Sequence, residues 1–305
     1  MPEKRNTIGT DPEFFMVNRE TGKLVSAIPH IEGTKHAPEP LPSGGSIQRD
    51  NVALEFATPP AESGEDLVMK VRNAFTDIFK RFGETHDIAA IPSADFDPDE
   101  LDHEEARMFG CDPDYNAWTV SINEPPPPAE TSTFRSCGAH IHVGHVEGDG
   151  NEFLLEFPGK FETIKMMDLV HGIISTVLDN SKSALDRRKL YGKAGCHRPT
   201  DYGVEYRVLS NFWLKSPHLV MLMDSLTQDV LRFIREGKSE EMIAEIGEDN
   251  IQEIINNCRA KKARKIMDEF LKPKLSEDSL HYLNECLENV NKYDLKHEWT
   301  MEVTK

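Results

Sequence analysis

The sequence predicts an α+β protein in which an antiparallel sheet comes first and a helical third follows. Three observations carry this. Up to residue 215, short apolar runs closed by glycine or proline dominate, and several alternate with the period of two that belongs to strands. One amphipathic helix interrupts them. Beyond Ser216 only the 3.6-residue period remains. The seam near 215 separates a core, 1–215, from a helical region, 216–305, whose helices are expected to pack on that core.

Taken in order, residues 7–60 read as strands and turns. TIGTDPEFFMV is an extended run, RETGKLVSA a hairpin turning at Gly22, and NVALEFATPP a strand closed by two prolines. Residues 64–83 place Leu67, Val68, Val71, Phe75, Ile78, Phe79 and Phe82 on one helical face, ended by Gly83. DIAAIPSADF is expected as a strand. An acidic segment, 97–130, contains GCDPDYNAW and the prolines 125–128. In RSCGAHIHVG, His140 and His142 lie two apart with Ile141 and Val143 behind them, so a strand projects both imidazoles from one face. A helix over 159–181, a basic loop over 186–199 and a strand over 203–213 follow. Helices are then expected over 217–236, 239–246, 250–271 and 276–290, with a break at Pro273.

Composition narrows the partners. The 305 residues suffice for one large domain or two smaller ones, and 53 Asp plus Glu against 35 Lys plus Arg leave a formal charge of −18. Such a field repels nucleic acid and anionic membrane surfaces, so neither is expected as a partner. No apolar run approaches a membrane span, and the first residues lack a signal peptide's apolar stretch. Five scattered cysteines (111, 137, 196, 258, 286) without a CxxC pair suit reduced thiols. A cytoplasmic protein is expected.

Four strand-like segments each offer polar residues at same-face spacing: Asp11 and Glu13; Glu55 among apolar neighbours; His140 and His142; Glu205 and Arg207. Each alone also suits the wet side of a sheet. Together they predict one shared concave face, and carboxylates with imidazole suit a hard divalent cation such as Mg²⁺ or Mn²⁺. The segment 186–199 adds Arg187, Arg188, Lys189, Lys193 and Arg198. Cations beside a carboxylate-bound metal are the means of holding polyphosphate or a phosphorylated intermediate. With Gly192 and Gly195 for freedom, the segment is expected to be a mobile lid, open until triphosphate bridges its charges.

These motifs, in this order, resemble the bacterial carboxylate–amine ligases of the glutamate–cysteine ligase type. TIGTDPEFFMVNRETGKLV resembles their opening hairpin, LEFATPP their second metal-bearing strand, CGAHIHVG their GxHxHxG strand, and VEYRVLSNFW the closing Glu-x-Arg strand shared with glutamine synthetase. FGCDPDYNAW and YGKAGCHR are similar, more particularly, to the type 2 amidoligases found largely in phages. The resemblance spans residues 7–215.

The resemblance implies a glutamine synthetase-like fold and ATP-dependent amide or peptide bond formation through an acyl phosphate. It implies Asp11, Glu13, Glu55, His140 and Glu205 as ligands of Mg²⁺ (or Mn²⁺), and His142 near the ATP phosphates. Arg207 and Arg198 would bind the transferred phosphoryl group, assisted by Lys193 and by Arg187 or Arg188. Asp11 stands where the family more often has Glu, and Asp50 is a further ligand or a grip for the amine. The implied partners are a small-molecule or peptide carboxylate and an amine, with self-association into a homo-oligomer left open; a phage-encoded copy would work in the host cytoplasm. Tyr115 and Trp118 are expected beside the acceptor.

Gly237-Lys238-Ser239 ends like a P-loop, but Arg232 replaces the first glycine and a helix precedes it. Cys137 as a nucleophile is disfavoured by its expected burial. A cupin-like site built from His140, His142, His145 and Glu147 conflicts with the helical tail. A phosphotransferase of the same fold remains the main alternative, and a non-catalytic binding module is disfavoured by the intact acidic, histidine and arginine positions.

Overall fold

The computed structural model describes residues 4–107, 114–123 and 132–301; Cys111 and the prolines 125–128 lie outside the described residues. The strands are β1 (Thr7–Thr10), β2 (Glu13–Asn18), β3 (Leu24–Val25), β4 (Glu39–Pro40), β5 (Ser46–Asp50), β6 (Ala53–Ala57), β7 (His86–Ala89), β8 (Ser93–Asp95), β9 (Tyr115–Asn116), β10 (Ser121–Ile122), β11 (Phe134–Ser136), β12 (Ile141–Gly144), β13 (Cys196–Thr200) and β14 (Gly203–Tyr206). The helices are α1 (Gly64–Phe82), α2 (Phe157–Met167), α3 (Ile173–Leu178), α4 (Lys182–Arg187), α5 (Pro217–Arg235), α6 (Ser239–Ile246), α7 (Glu248–Asn256), α8 (Ala260–Ile266), α9 (Glu277–Asn289) and α10 (Leu295–Thr300). The α+β class is as expected, and no described helix is long and apolar enough to cross a membrane.

The expected single concave sheet is instead two antiparallel sheets. The first runs β1-β12-β14-β13-β9-β10; the second runs β3-β2-β6-β5-β4, with β7 also on β2; β11 and β8 form a separate ribbon. Asp11-Pro12 is where the chain crosses from the first sheet to the second. Proline has no N–H for a ladder, so the extended run 7–17 breaks there. Pro92 divides DIAAIPSADF into β7 and β8 for the same reason.

Helix α1 starts at Ser63, whose hydroxyl accepts from Asp66 N, and buries Leu67, Val71, Phe75 and Ile78. Helix α5, mostly buried, contacts α1, α2 and α9, so the C-terminal helices share the core that backs both sheets. Three expected spans differ. The helix over 159–181 contains a π-helical turn at Asp168–Gly172. The helix over 250–271 is cut at 257–259, where Cys258 takes φ +48°. The strand over 203–213 stops at Tyr206, and Asn211–Lys215 is a 3₁₀ turn capped by Ser210.

The segment 186–199 is not an open loop. Helix α4 runs to Arg187, and Arg187 and Arg188 are buried at 3% and 5% exposure. A lid that stays open through mutual repulsion of these charges is therefore not what the fold builds.

Candidate active site

Sheet register brings the first group of side chains together. His142 lies opposite Gly9 on one side and Glu205 on the other, and Glu205 lies opposite Arg198. Side chains two residues away share a face, so Asp11, His140 and Arg207 form a second row beside His142, Glu205 and Arg198. Asp11 Oδ1 is 3.0 Å from His140 Nδ1 and 3.2 Å from His142 Nε2, and His140 Nδ1 is 3.4 Å from Glu205 Oε1. Arg198 Nη1 reaches Glu205 Oε2 at 3.0 Å, while Arg207 pairs with Glu205 through Nη1 and lies 3.3 Å from Asp114 Oδ1 through Nε.

The second group comes from the other sheet. Glu13 lies opposite Glu55, and Glu55 opposite Gln48, which donates to Glu55 Oε2 at 2.9 Å; Asp50 follows Gln48 on the same face. Gly138 ties the walls together: its N–H donates to Glu13 Oε2 at 2.7 Å and its carbonyl accepts from Glu13 N at 2.9 Å. Glu13, Asp50, Glu55, Asp11, His140, Asp114, Arg187, Arg198 and Arg207 all line one cleft. Of the seven residues expected on one sheet face, Asp11, His140, His142, Glu205 and Arg207 belong to the first sheet. Glu13 and Glu55 face them from the second.

The cations sort differently from the sequence expectation. Arg187 lines the cleft, its Nη1 donating to Val208 O at 2.9 Å. Gly138 and Gly192 make the slot for it. A Cβ on Gly138 would sit 2.7 Å from Arg187 Nη2, and one on Gly192 (φ +73°) would sit 1.9 Å from Nη1. Arg188 turns away and donates to Cys258 Sγ at 2.8 Å, and Lys193 is exposed outside the cleft. Neither is placed to assist. A run of basic residues says nothing about direction, and neighbours at a helix end point apart. Tyr115 and Trp118 likewise lie outside the lining; Trp118 Nε1 donates to Asp168 instead. His145 binds Asp149 at 2.8 Å, so the cupin-like set is not assembled. Cys137 is fully buried, and burial pushes its thiol well above the ordinary range.

Electrostatics separate the two walls. Burial pushes the Glu13 carboxyl up to about 8, with Asp50 adding repulsion. Burial, then Asp50, Asp11 and Glu13, push Glu55 well above its usual range; burial also raises Asp50, against the pull of Lys35 and Arg207. Burial works against the Asp11 charge too, but His140 and His142 outweigh it and hold that carboxyl well below its usual range. Burial, then Arg207, lowers His140; His142 is raised, burial being outweighed by Asp11.

These donors fit divalent cations. Ligand atoms of Asp11, His142 and Glu205, and separately of Glu13, Asp50 and Glu55, lie within 4.8 Å of one another. Asp11 Oδ1 and His142 Nε2 are buried and lack a hydrogen bond of good geometry. Three crowded carboxylates with raised affinity for protons want a positive charge; carboxylate oxygens are hard donors, and imidazole nitrogen is a borderline one.

Asp114, Gln48 and Arg187's glycine slot escaped the sequence reading as it stood. For Asp114 the signal was present in GCDPDYNAW, an acidic residue opening a short strand, but only the aromatic residues were picked from it.

The chain matches the family model described as phage phiEco32-like COOH.NH2 ligase-type 2 over residues 129–294, just over half its length. No curated protein matches it. Among solved structures it is similar to a bifunctional glutathione synthetase from Pasteurella multocida, at 11% identity and a TM-score of 0.41, over 95% of this chain and 53% of that one. It is also similar to a structure described as a novel glutamine synthase homolog, at 13% identity and a TM-score of 0.36, over 92% of this chain and 71% of the other. The chain spans about half the length of the first of these.

Proposed function

The chain belongs to the phage phiEco32-like COOH.NH2 ligase-type 2 family, and from that premise we propose that it is an ATP-dependent amidoligase joining a carboxylate to an amine through an acyl phosphate. In the first step the γ-phosphoryl group passes from ADP's terminal oxygen to a substrate carboxylate oxygen. In the second, the amine nitrogen bonds to the acyl carbon, the C–O bond to phosphate breaks, and the nitrogen gives up a proton.

The observation that carries this reading is the presence of two donor sets, one reaching the cleft through Asp11 and the other through Glu13, Asp50 and Glu55, with Arg187, Arg198 and Arg207 lining the same cleft. Asp11, His140, His142 and Glu205 would hold one Mg²⁺ or Mn²⁺, and Glu13, Glu55 and Asp50 a second. Such ions neutralise charge on polyphosphate oxygens. Arg198 and Arg207 grip the phosphoryl group being moved, and Arg187 at the cleft floor takes an anionic end of acceptor or intermediate.

The test is ADP release from Mg-ATP with pooled carboxylates and amines, with mass spectrometry of products. Release that needs both pools and yields a dehydrated adduct supports the ligase. Release with a phosphorylated product and no need of amine means phosphotransfer, and no metal-dependent release at all sinks both.

A further inference from the structure

Behind the first sheet sits a buried carboxylate that no role above uses. Asp168 is fully buried and opens the π-helical turn between α2 and α3. It accepts three hydrogen bonds: from Trp118 Nε1 at 2.6 Å and Gly195 N at 2.6 Å on Oδ2, and from Tyr206 OH at 2.8 Å on Oδ1. Each donor belongs to a segment that carries a cleft residue. Tyr206 lies between Glu205 and Arg207 and points to the opposite face. Gly195 stands three residues before Arg198. Trp118 stands four after Asp114, across the β9–β10 hairpin.

We propose that Asp168 is a positioning residue for the phosphate-gripping side of the cleft, locking together the three segments that present Asp114, Arg198 and the Glu205–Arg207 pair. The inference rests on the ligase reading, in which Arg198 and Arg207 meet the nucleotide. The geometry asks for a carboxylate. Three donors converge on two oxygens, and an amide would turn an NH₂ toward at least one of them. The placement is costly, since burial raises this carboxyl to about 7 despite its donors and Arg188 nearby. π-turns also recur at functional sites.

A double-mutant cycle tests this, read by calorimetric binding of the magnesium complex of a non-hydrolysable ATP analogue. Asp168→Asn is expected to weaken binding about tenfold, the weight of one or two hydrogen bonds. In an Arg198→Gln/Arg207→Gln background the same change is expected to cost less than about threefold, because the phosphate-gripping groups through which Asp168 acts are then absent. Tyr206→Phe, which deletes one hydroxyl and keeps the ring, serves as the gentler arm and decides the question if Asp168→Asn does not fold. Unchanged affinity in the folded variant, or equal losses in both backgrounds, overturns the inference while leaving wild-type binding intact. Wild-type protein that does not bind the nucleotide complex overturns the ligase reading and this inference with it.

Discussion

The two walls of the cleft hold similar numbers of carboxylates in opposite electrostatic states. On the first sheet each carboxylate has a basic partner beside it: Asp11 faces two imidazoles, and Glu205 is pinned by Arg198 and Arg207. On the second, Glu13, Asp50 and Glu55 mainly face one another, softened by Gln48, Lys35 and the edge of the arginines. The first wall is already balanced; the second stores repulsion that a cation would relieve. A balanced wall suits holding a phosphoryl group in one geometry, and an unbalanced one suits capturing something positive.

The largest expected effect comes from neutralising one carboxylate on each wall. Glu205→Gln removes the partner of Arg207, which is largely buried, and should destabilise the protein by about 3 kcal/mol. Glu55→Gln removes repulsion and should stabilise the metal-free protein by about 1 kcal/mol. Both should abolish metal-dependent ATP turnover. Denaturant melts of the two variants read the comparison directly, and stability changes of the same sign would erase the distinction between the walls.

A pH series sharpens the contrast. A carboxyl raised by folding binds protons that the unfolded chain has released, so its contribution is complete below its ordinary value. For Glu13, taken from 4.5 to about 8, that contribution is lost as pH climbs across this interval, and Glu55 and Asp50 act in the same direction. Asp11, lowered by folding, contributes above its ordinary value and loses this only as pH falls through the acidic range. The stability advantage of Glu55→Gln over wild type should therefore widen from pH 5 to pH 8 in chelator-treated protein. Mn²⁺ should raise the wild-type melting temperature more at pH 8 than at pH 6, because the metal displaces protons. A gap independent of pH would mean that the second wall is not under charge stress.

How much of this was legible in the sequence follows from how far each signal reaches. Period two is local, and it correctly paired His140 with His142 and Glu205 with Arg207 on a single face. Sheet membership is not local. Glu13 shows the same spacing from Asp11 as His142 from His140, yet Pro12 sends Glu13 to another sheet. Cation density misled for a related reason: Arg187 and Arg188 are adjacent, but one enters a glycine slot and the other meets Cys258. Asp168 did leave a trace, as the one acid within KMMDLVHG. Its meaning depends on a π-turn and on three partners from distant segments, which no local pattern announces.

The smallest expected effect probes how the first wall keeps its order. His142 Nδ1 lies 2.6 Å from Tyr202 OH, while its Nε2 faces Asp11. For Nε2 to offer a lone pair to a cation, the ring proton must sit on Nδ1 and be donated to the phenol oxygen. Tyr202→Phe deletes that acceptor and lets the proton settle on either nitrogen. Tyr202 is 47% exposed, so stability should change by no more than about 0.5 kcal/mol. Mn²⁺ affinity should fall about tenfold, as expected for loss of an outer hydrogen bond to a ligating histidine. The measurement belongs in a Glu55→Gln background, where the second wall is weakened and titration calorimetry reports mainly the first. There the Tyr202→Phe loss should vanish once His142→Ala is added, because the tyrosine then has no ring to orient. Equal Mn²⁺ affinity with and without the hydroxyl would mean that His142 is held by Asp11 and the strand alone, and that the balance of the first wall needs no support from its rim.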